Sequence, residues 1–421
     1  MKKNYNCETD KDDFIIKNKT IISLTESGIT KKHLTIPDGI KAINTFAFCD
    51  SVALESISLP KSLKTIVSNA FNNCKKLKRI TICSDNPFFK VTNGNLYSAD
   101  GKTLVLYAKG KASNSFTIPS QVEKIREYAL FNCGNLRNIL FTKNSNLKVI
   151  EECGLAYCEN LCEIKLPASL EKFSKDIFLN CPNLTKIDVD ETSKKFKSIG
   201  GNLYSKSGNK FILYACGKKE KSFEIAKNVT TIDKQAFLDA ENLETITFEE
   251  NSTLKTIDEK AFLDCLNLRN IEFPKSLKNI NYDAFVNCIN LEKIVILNTI
   301  EYIGPGAFIG CDKLKSVIFK KPSKITNIYS STFAHCYNLK EIEIPKTVTE
   351  INFDSFAHCE SLENVLFESG SKLSYIGKKA FSGCNNLELI ILPNRSVTFG
   401  ESPFEEKTKV IYKKYSKKIA K

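Results

Sequence analysis

Cysteine is the chemistry-bearing residue that stands out in this sequence: sixteen cysteines in 421 residues, against three histidines. Thiols in such number offer disulfide cross-linking, soft-metal coordination or nucleophilic attack. Spacing decides among them. Ten cysteines recur in one frame, clearest as Ala70-Phe71-x-x-Cys74-x-x-Leu77-x-x-Ile80, Ala261-Phe262-x-x-Cys265-x-x-Leu268-x-x-Ile271 and Ala380-Phe381-x-x-Cys384-x-x-Leu387-x-x-Ile390. A cysteine that returns at one place in every repeat acts as a small buried hydrophobe. Equivalent cysteines of stacked coils point the same way, which is poor disulfide geometry, so reduced thiols are expected. Six lie off the frame: Cys7, Cys49, Cys83, Cys153, Cys162 and Cys216. Cys153, Cys158 and Cys162 are close in sequence, but their spacing matches no common zinc pattern and no histidine is nearby, so no metal is expected there.

The remaining reactive residues point the same way. His335 and His358 stand in Ala-His-Cys triplets 23 residues apart and should stack on adjacent coils. With no further ligand they read as outer-turn residues, and His33 is isolated. Gly-x-Ser-x-Gly, a phosphate-binding Gly-x-x-x-x-Gly-Lys loop and His-Glu-x-x-His are all absent. Neither an enzyme nor a cofactor is expected. The formal charge of +13 comes mostly from lysine, with no block of five or six basic residues, so it reads as a solvated surface and not a nucleic-acid groove. The first ten residues lack an apolar leader, and no stretch approaches the length of a membrane span.

What must position these residues is a repeat. Twelve frames are marked by Ser51, Cys74, Cys133, Cys158, Cys181, Ala240, Cys265, Cys288, Cys311, Cys336, Cys359 and Cys384, spaced 23, 59, 25, 23, 59, 25, 23, 23, 25, 23 and 25 residues. Such a period means a solenoid whose coils contact their neighbours. The run Leu-x-x-Ile-x-Ile/Leu/Phe predicts a short strand stacking in parallel on the next. The return through Ala-Phe predicts a turn with a short helical or 3₁₀ stretch. The 59-residue gaps are related by a 107-residue offset: Gly94-Asn95-Leu96-Tyr97 matches Gly201-Asn202-Leu203-Tyr204. Asp100-Gly101 and Ser207-Gly208 then close β-hairpin inserts, at about residues 84–116 and 191–224. Residues 1–33 are expected to cap one end. Residues 34–394 hold the repeats, and 395–421 leave the frame as a second cap and basic tail.

The frame Pro-x-x-Leu-x-x-Ile-x-x-x-Ala-Phe-x-x-Cys-x-x-Leu-x-x-Ile, with its Gly-Asn-Leu-Tyr-Ser hairpin, resembles the BspA-like class of leucine-rich repeats from about Leu34 to Pro393. The resemblance implies a mainly β, right-handed superhelix with a parallel concave sheet, and a non-enzymatic protein-binding role. Members are often cell-surface adhesins or antigens that bind host or matrix proteins. The lack of a leader or span favours the alternative, an intracellular scaffold for a cytoplasmic partner. Self-association is a further expectation, and nucleic acid is not expected as a partner. In such a repeat the second and fourth residues after each Leu line the concave face. Early coils give mostly polar pairs such as Ser56 and Ser58. Late coils turn apolar at Val295, Ile318, Leu366, Leu389 and Ile391, interrupted by Glu341 and Glu343. These seven residues are the candidate partner-binding stripe.

Overall fold

Each coil contributes two strands that climb in separate ladders, as seen in a computed structural model that describes residues 11–413. Cys7 and the basic run after Lys413 lie outside the described residues. The chain divides into two compact units, Met1–Gly201 and Asn202–Lys421. Both are leucine-rich repeat solenoids.

The first ladder is the expected one. In the first unit, Ser115–Ile118, Asn138–Phe141, Glu163–Leu166 and Lys186–Val189 stack in parallel. In the second, Lys293–Ile296, Ser316–Phe319, Glu341–Ile344 and Asn364–Phe367 do the same, in register. Alternation sets the faces: Ile342 and Ile344 turn inward while Glu341 and Glu343 turn out.

The return segment differs from expectation. In place of a helical stretch it holds a two-residue strand, as in Asn327–Ile328, Glu350–Ile351, Tyr375–Ile376 and Thr398–Phe399, which form a second parallel ladder. The strand is short because the residue before each Ala-Phe step is left-handed: Asn69, Lys260 and Lys379 have φ of 56°, 56° and 55°. A residue in that region ends both strand and right-handed helix. A second left-handed column precedes the frame cysteine, with Asn73 at 58°, Asp264 at 58°, Asn287 at 57° and His335 at 59°. Asn, Asp, Gly and His at that place are the sequence trace of this geometry. Among the described residues, helix is confined to Glu26–Thr30 and a 3₁₀ turn at Lys11–Asp13.

The inserts are antiparallel. Phe89–Thr92, Asn95–Ser98 and Thr103–Leu106 form a meander, turned at Asn93-Gly94 and at Gly101, which has a φ of 78°. In the second unit Asn202–Ser205 pairs with Lys210–Leu213 about Gly208. Thr103–Leu106 and Lys210–Leu213 then join the two-residue ladder in parallel, so each insert re-enters the stack. At the amino end Phe14–Lys17 and Thr20–Leu24 make a hairpin, and Thr20–Leu24 starts the second ladder. The carboxy segment keeps the coil path although its sequence leaves the frame. Thr398–Phe399 extends one ladder, Lys409–Tyr412 pairs with Leu389–Leu392, and Phe404 stacks on Phe381 at 5.4 Å.

Three inner columns hold the coils. Phe237, Phe262, Phe285, Phe308, Phe333, Phe356 and Phe381 are fully buried, and successive rings stack 4.7 to 5.6 Å apart with nearly parallel planes. Burial of one such ring contributes about 1.5–3 kcal/mol, and each stacked pair about 0.5–1.5 more. Beside the rings, each Phe N–H donates to the carbonyl of the residue before the Phe of the next coil, usually Ala, as Phe262 to Ala284 and Phe285 to Ala307, both 2.8 Å. Alanine at this step lets the backbones approach.

The thiols form the third column. Cys265, Cys288, Cys311, Cys336, Cys359 and Cys384 donate Sγ–H to the Phe carbonyl one coil back, at 3.1 to 3.4 Å. Cysteine is small enough for the column and gives a weak donor to a carbonyl that would otherwise meet only hydrocarbon on that side. All fifteen described cysteines are free thiols.

Candidate functional site

The outer face of the four-residue ladder in the second unit gathers the predicted stripe. Exposure is 37% for Ile318, 52% for Leu366, 41% for Leu389 and 48% for Ile391. Val295 is half-buried, directly opposite Ile318 in the register. Glu341 and Glu343 are exposed one rung on. Glu343 is held by Lys321 at 2.9 Å, whereas Glu341 forms no ion pair among the described residues. Leu366, Leu389 and Ile391 line a groove flanked by Glu363, Glu388 and Lys413. Aliphatic side chains this exposed, Ile318 and Leu366 on a four-stranded sheet and Leu389 and Ile391 on a two-stranded one, are held by strands whose other face is the core. The face is therefore presented without any cost to packing.

The charge surplus is distributed as rungs. Lys78 pairs with Glu55 at 2.9 Å and Lys221 with Glu244 at 2.6 Å. Lys278 and Lys324 grip Glu301 from the coils on either side, at 2.9 and 2.8 Å, and hold its carboxyl down at about 2. Exposed pairs of this kind add little to stability, and they offset the lysine charge along the stack.

His335 and His358 do stack, with rings 4.8 Å apart and 10° from parallel, and Tyr337 meets His335 Nδ1 at 3.1 Å. The three neighbouring cysteines separate: Cys158 is in the thiol column, Cys162 is exposed, and Cys153 lies beside Asp176, 3.6 Å from its carboxylate. Burial pushes the Cys74, Cys153 and Cys384 thiols up to about 12, so they stay protonated and unreactive at neutral pH.

Two features escaped the sequence reading. Asparagines before the frame Leu form a ladder: Asn242, Asn267 and Asn290 donate Nδ2–H to the carbonyls of Lys218, Glu241 and Leu266, at 2.9, 2.8 and 2.8 Å. The recurrent Asn-Leu dipeptide was the available signal. The second is Lys109, 3% exposed, set among Cys74, Cys133 and Cys158 of the thiol column. Burial lowers its pKa, and Phe131 lies 5.8 Å from its ammonium. It lines a small enclosed cavity of about 20 Å³ with Asn69 and Asn72.

The sequence model described as "BspA type Leucine rich repeat region (6 copies)" matches residues 16–98, 107–210, 209–336 and 326–421. Among solved structures, the chain is similar to the pneumococcal vaccine antigen PcpA, with 20% identity over 95% of this chain and 96% of that one, at a TM-score of 0.58. A leucine-rich cell surface protein from Faecalibacterium prausnitzii A2-165 gives 23% identity over 93% of each chain, at a TM-score of 0.43. A leucine-rich repeat protein from Eubacterium ventriosum gives 18% over 95% and 91%, at 0.49. No curated protein sequence matches. No helix among the described residues is long and apolar enough to cross a membrane.

Proposed function

This chain belongs to the BspA-type leucine-rich repeat family, and from that premise we propose that it is a protein-binding module of the surface adhesin or antigen type, engaging host or matrix proteins. The docking surface is the late stripe of the four-residue ladder. The observation that carries this reading is the row of exposed aliphatics, Ile318, Leu366, Leu389 and Ile391, on one open face. Apolar surface in one patch, rimmed by charge, marks an interaction site. Glu341 and Glu343 add a polar rung that fixes orientation more than it adds affinity.

A second reading, an intracellular scaffold using the same face, is favoured by the fifteen free thiols, since long-lived thiols suit a reducing compartment. Protease shaving of intact cells, read with an antibody against this chain, separates the two. Loss of signal from unpermeabilised cells supports the surface module. Protection until permeabilisation supports the scaffold. For the face itself, the Ile318→Asp, Leu366→Asp double variant should lose partner binding while its melting curve stays unchanged. Retained binding in that variant overturns the assignment.

A further inference from the structure

The stripe has a spacing as well as a polarity. Taking the third residue of each four-residue strand, the file reads Val295, Ile318, Glu343 and Leu366 across one four-stranded sheet, then Ile391 and Ile411 on the two-stranded sheet of the following coils. Paired rungs of a sheet are about 4.8 Å apart, so the four-stranded part of the file extends about 14 Å along the stacking direction.

A partner lying along this file must offer an apolar group at nearly that interval. An α-helix offers one per turn of about 5.4 Å. An extended strand offers one on a given face every 6.6–6.8 Å or so. Over the four paired rungs, three intervals, the helix drifts about 1.8 Å out of phase, within the reach of a leucine side chain. The strand drifts about 5–6 Å, more than a full rung. The apolar surface continues past Leu366 along Leu389 and Ile391.

Charge fixes the second property of the partner. Glu363 and Glu388 flank the Leu366–Ile391 groove, exposed and without an ion-pair partner among the described residues, with Lys413 also lining it; on the earlier rungs of the same flank Glu341 alternates with exposed Lys293 and Lys340. The carboxylate that lies within the file, Glu343, is drawn aside by Lys321. A helix with lysine or arginine beside its apolar stripe would satisfy the flank, and an acidic one would be repelled.

Resting on the reading of this face as a protein-docking surface, we propose that its occupant is a basic amphipathic α-helix, laid along the coils with apolar residues at i, i+3 or i+4, and i+7. The two carboxylates at the groove, Glu363 and Glu388, disfavour the competing occupant of this surface, an acidic lipid headgroup layer.

The test uses the full chain and three labelled synthetic peptides of identical leucine and lysine composition, about 18 residues long, enough to cover the file as a helix. One places its leucines on a single helical face, one alternates Leu and Lys, and one is shuffled so that neither face forms. Fluorescence anisotropy gives affinity and circular dichroism gives induced helicity. The helical peptide should bind at least about tenfold tighter than the other two, equivalent to about 1.4 kcal/mol, and gain helicity on binding. The Leu366→Asp, Ile391→Asp variant should lose that preference, and a Glu363→Lys, Glu388→Lys variant should weaken it with a smaller salt dependence. Both sets are exposed, so unchanged melting checks the fold.

If the alternating peptide binds best and still depends on Leu366 and Ile391, the helix proposal falls while the docking face stands. If no peptide's binding depends on those residues, both fall. Equal binding of the shuffled peptide, or a preference for phosphatidylserine vesicles over the helical peptide, overturns the proposal as well.

Discussion

Replacing Lys109 by methionine should make the first unit more stable at neutral pH, against the usual direction of a core substitution. The side chain is 3% exposed, and among the described residues its ammonium meets no carboxylate and no hydrogen-bond acceptor. Leaving a buried polar group unpartnered costs about 1–3 kcal/mol, and more when it is charged. The contact with the Phe131 ring, at 5.8 Å, returns about 0.5–1 kcal/mol. Methionine fills nearly the same volume without an amine, so Lys109→Met should gain about 1–2 kcal/mol at pH 7. The pH dependence gives a second, independent signature. The unfolded amine titrates near 10.4 or so and the folded one lower. At high pH both states hold a neutral amine, and the part of the penalty that comes from the charge is gone. As pH falls through the window below about 10.4, the unfolded chain takes up its proton first, and stability is lost at about 1.4 kcal/mol for each unit of depression. Urea unfolding of both proteins at pH 7, 8, 9 and 10 reads this directly. The variant should lead at pH 7 and the gap should close toward pH 10. A variant that unfolds at lower urea than the parent at pH 7, or a gap independent of pH, would refute the reasoning.

Phe308→Ala should destabilise the second unit by about 3–5 kcal/mol, because it opens a void between the Phe285 and Phe333 rings, 5.2 and 5.6 Å away; thermal melting measures it. Mass-spectrometric mapping with a thiol reagent at pH 8 should label the exposed Cys83 and Cys162 in the native protein, and leave Cys74, Cys311 and Cys384 unlabelled until denaturant is added. Labelling of the column thiols at the same rate would contradict their burial. The Glu301 carboxyl should titrate near about 2 by NMR at low salt, so its grip on Lys278 and Lys324 is complete above the ordinary carboxylate range and is released as pH falls through the folded value. Added salt should raise that midpoint, since the group is fully exposed and screened.

Much of the fold was legible because its inner positions are chemically monotonous. Cys, Leu and Ile recur at fixed intervals and are buried together, as Cys311, Leu314 and Val317 are. The inserts were legible through duplication and through Gly101 and Gly208, whose φ of 78° and 82° other residues rarely adopt. The second ladder was not. A two-residue strand such as Tyr375–Ile376 is too short to show alternation, and the left-handed residues around it resemble turn chemistry. Lys109 was hidden differently: inside Tyr107-Ala108-Lys109-Gly110-Lys111 it reads as one more surface lysine. The 107-residue offset pairs it with Cys216, which is buried, and that pairing identifies the position as inward. The carboxy segment was read as leaving the frame because Pro403-Phe404 replaces Ala-Phe, yet Pro403 still accepts the Phe381 N–H at 2.8 Å. Backbone path outlasts side-chain pattern at an end where one neighbour is enough.

The candidate site was legible in position and not in geometry, for a reason built into the repeat. Inner columns constrain the second residue of each four-residue strand, Val317 or Ile342, and leave the third residue free. Substitutions at an exposed position such as Ile318 or Leu366 change stability by about 0.5 kcal/mol or less, whereas the Phe column resists change by several times that. A face under so little folding constraint can be rewritten one rung at a time while the stack persists. That the late rungs hold aliphatics there, where folding would be served equally by Thr247 or Glu272, is then a statement about what the face meets. Sequence alone lists those residues; the stacked coils convert the list into a file with one side chain per rung, about 4.8 Å apart within a sheet, and that interval is the ground on which the proposed helix is preferred to a strand.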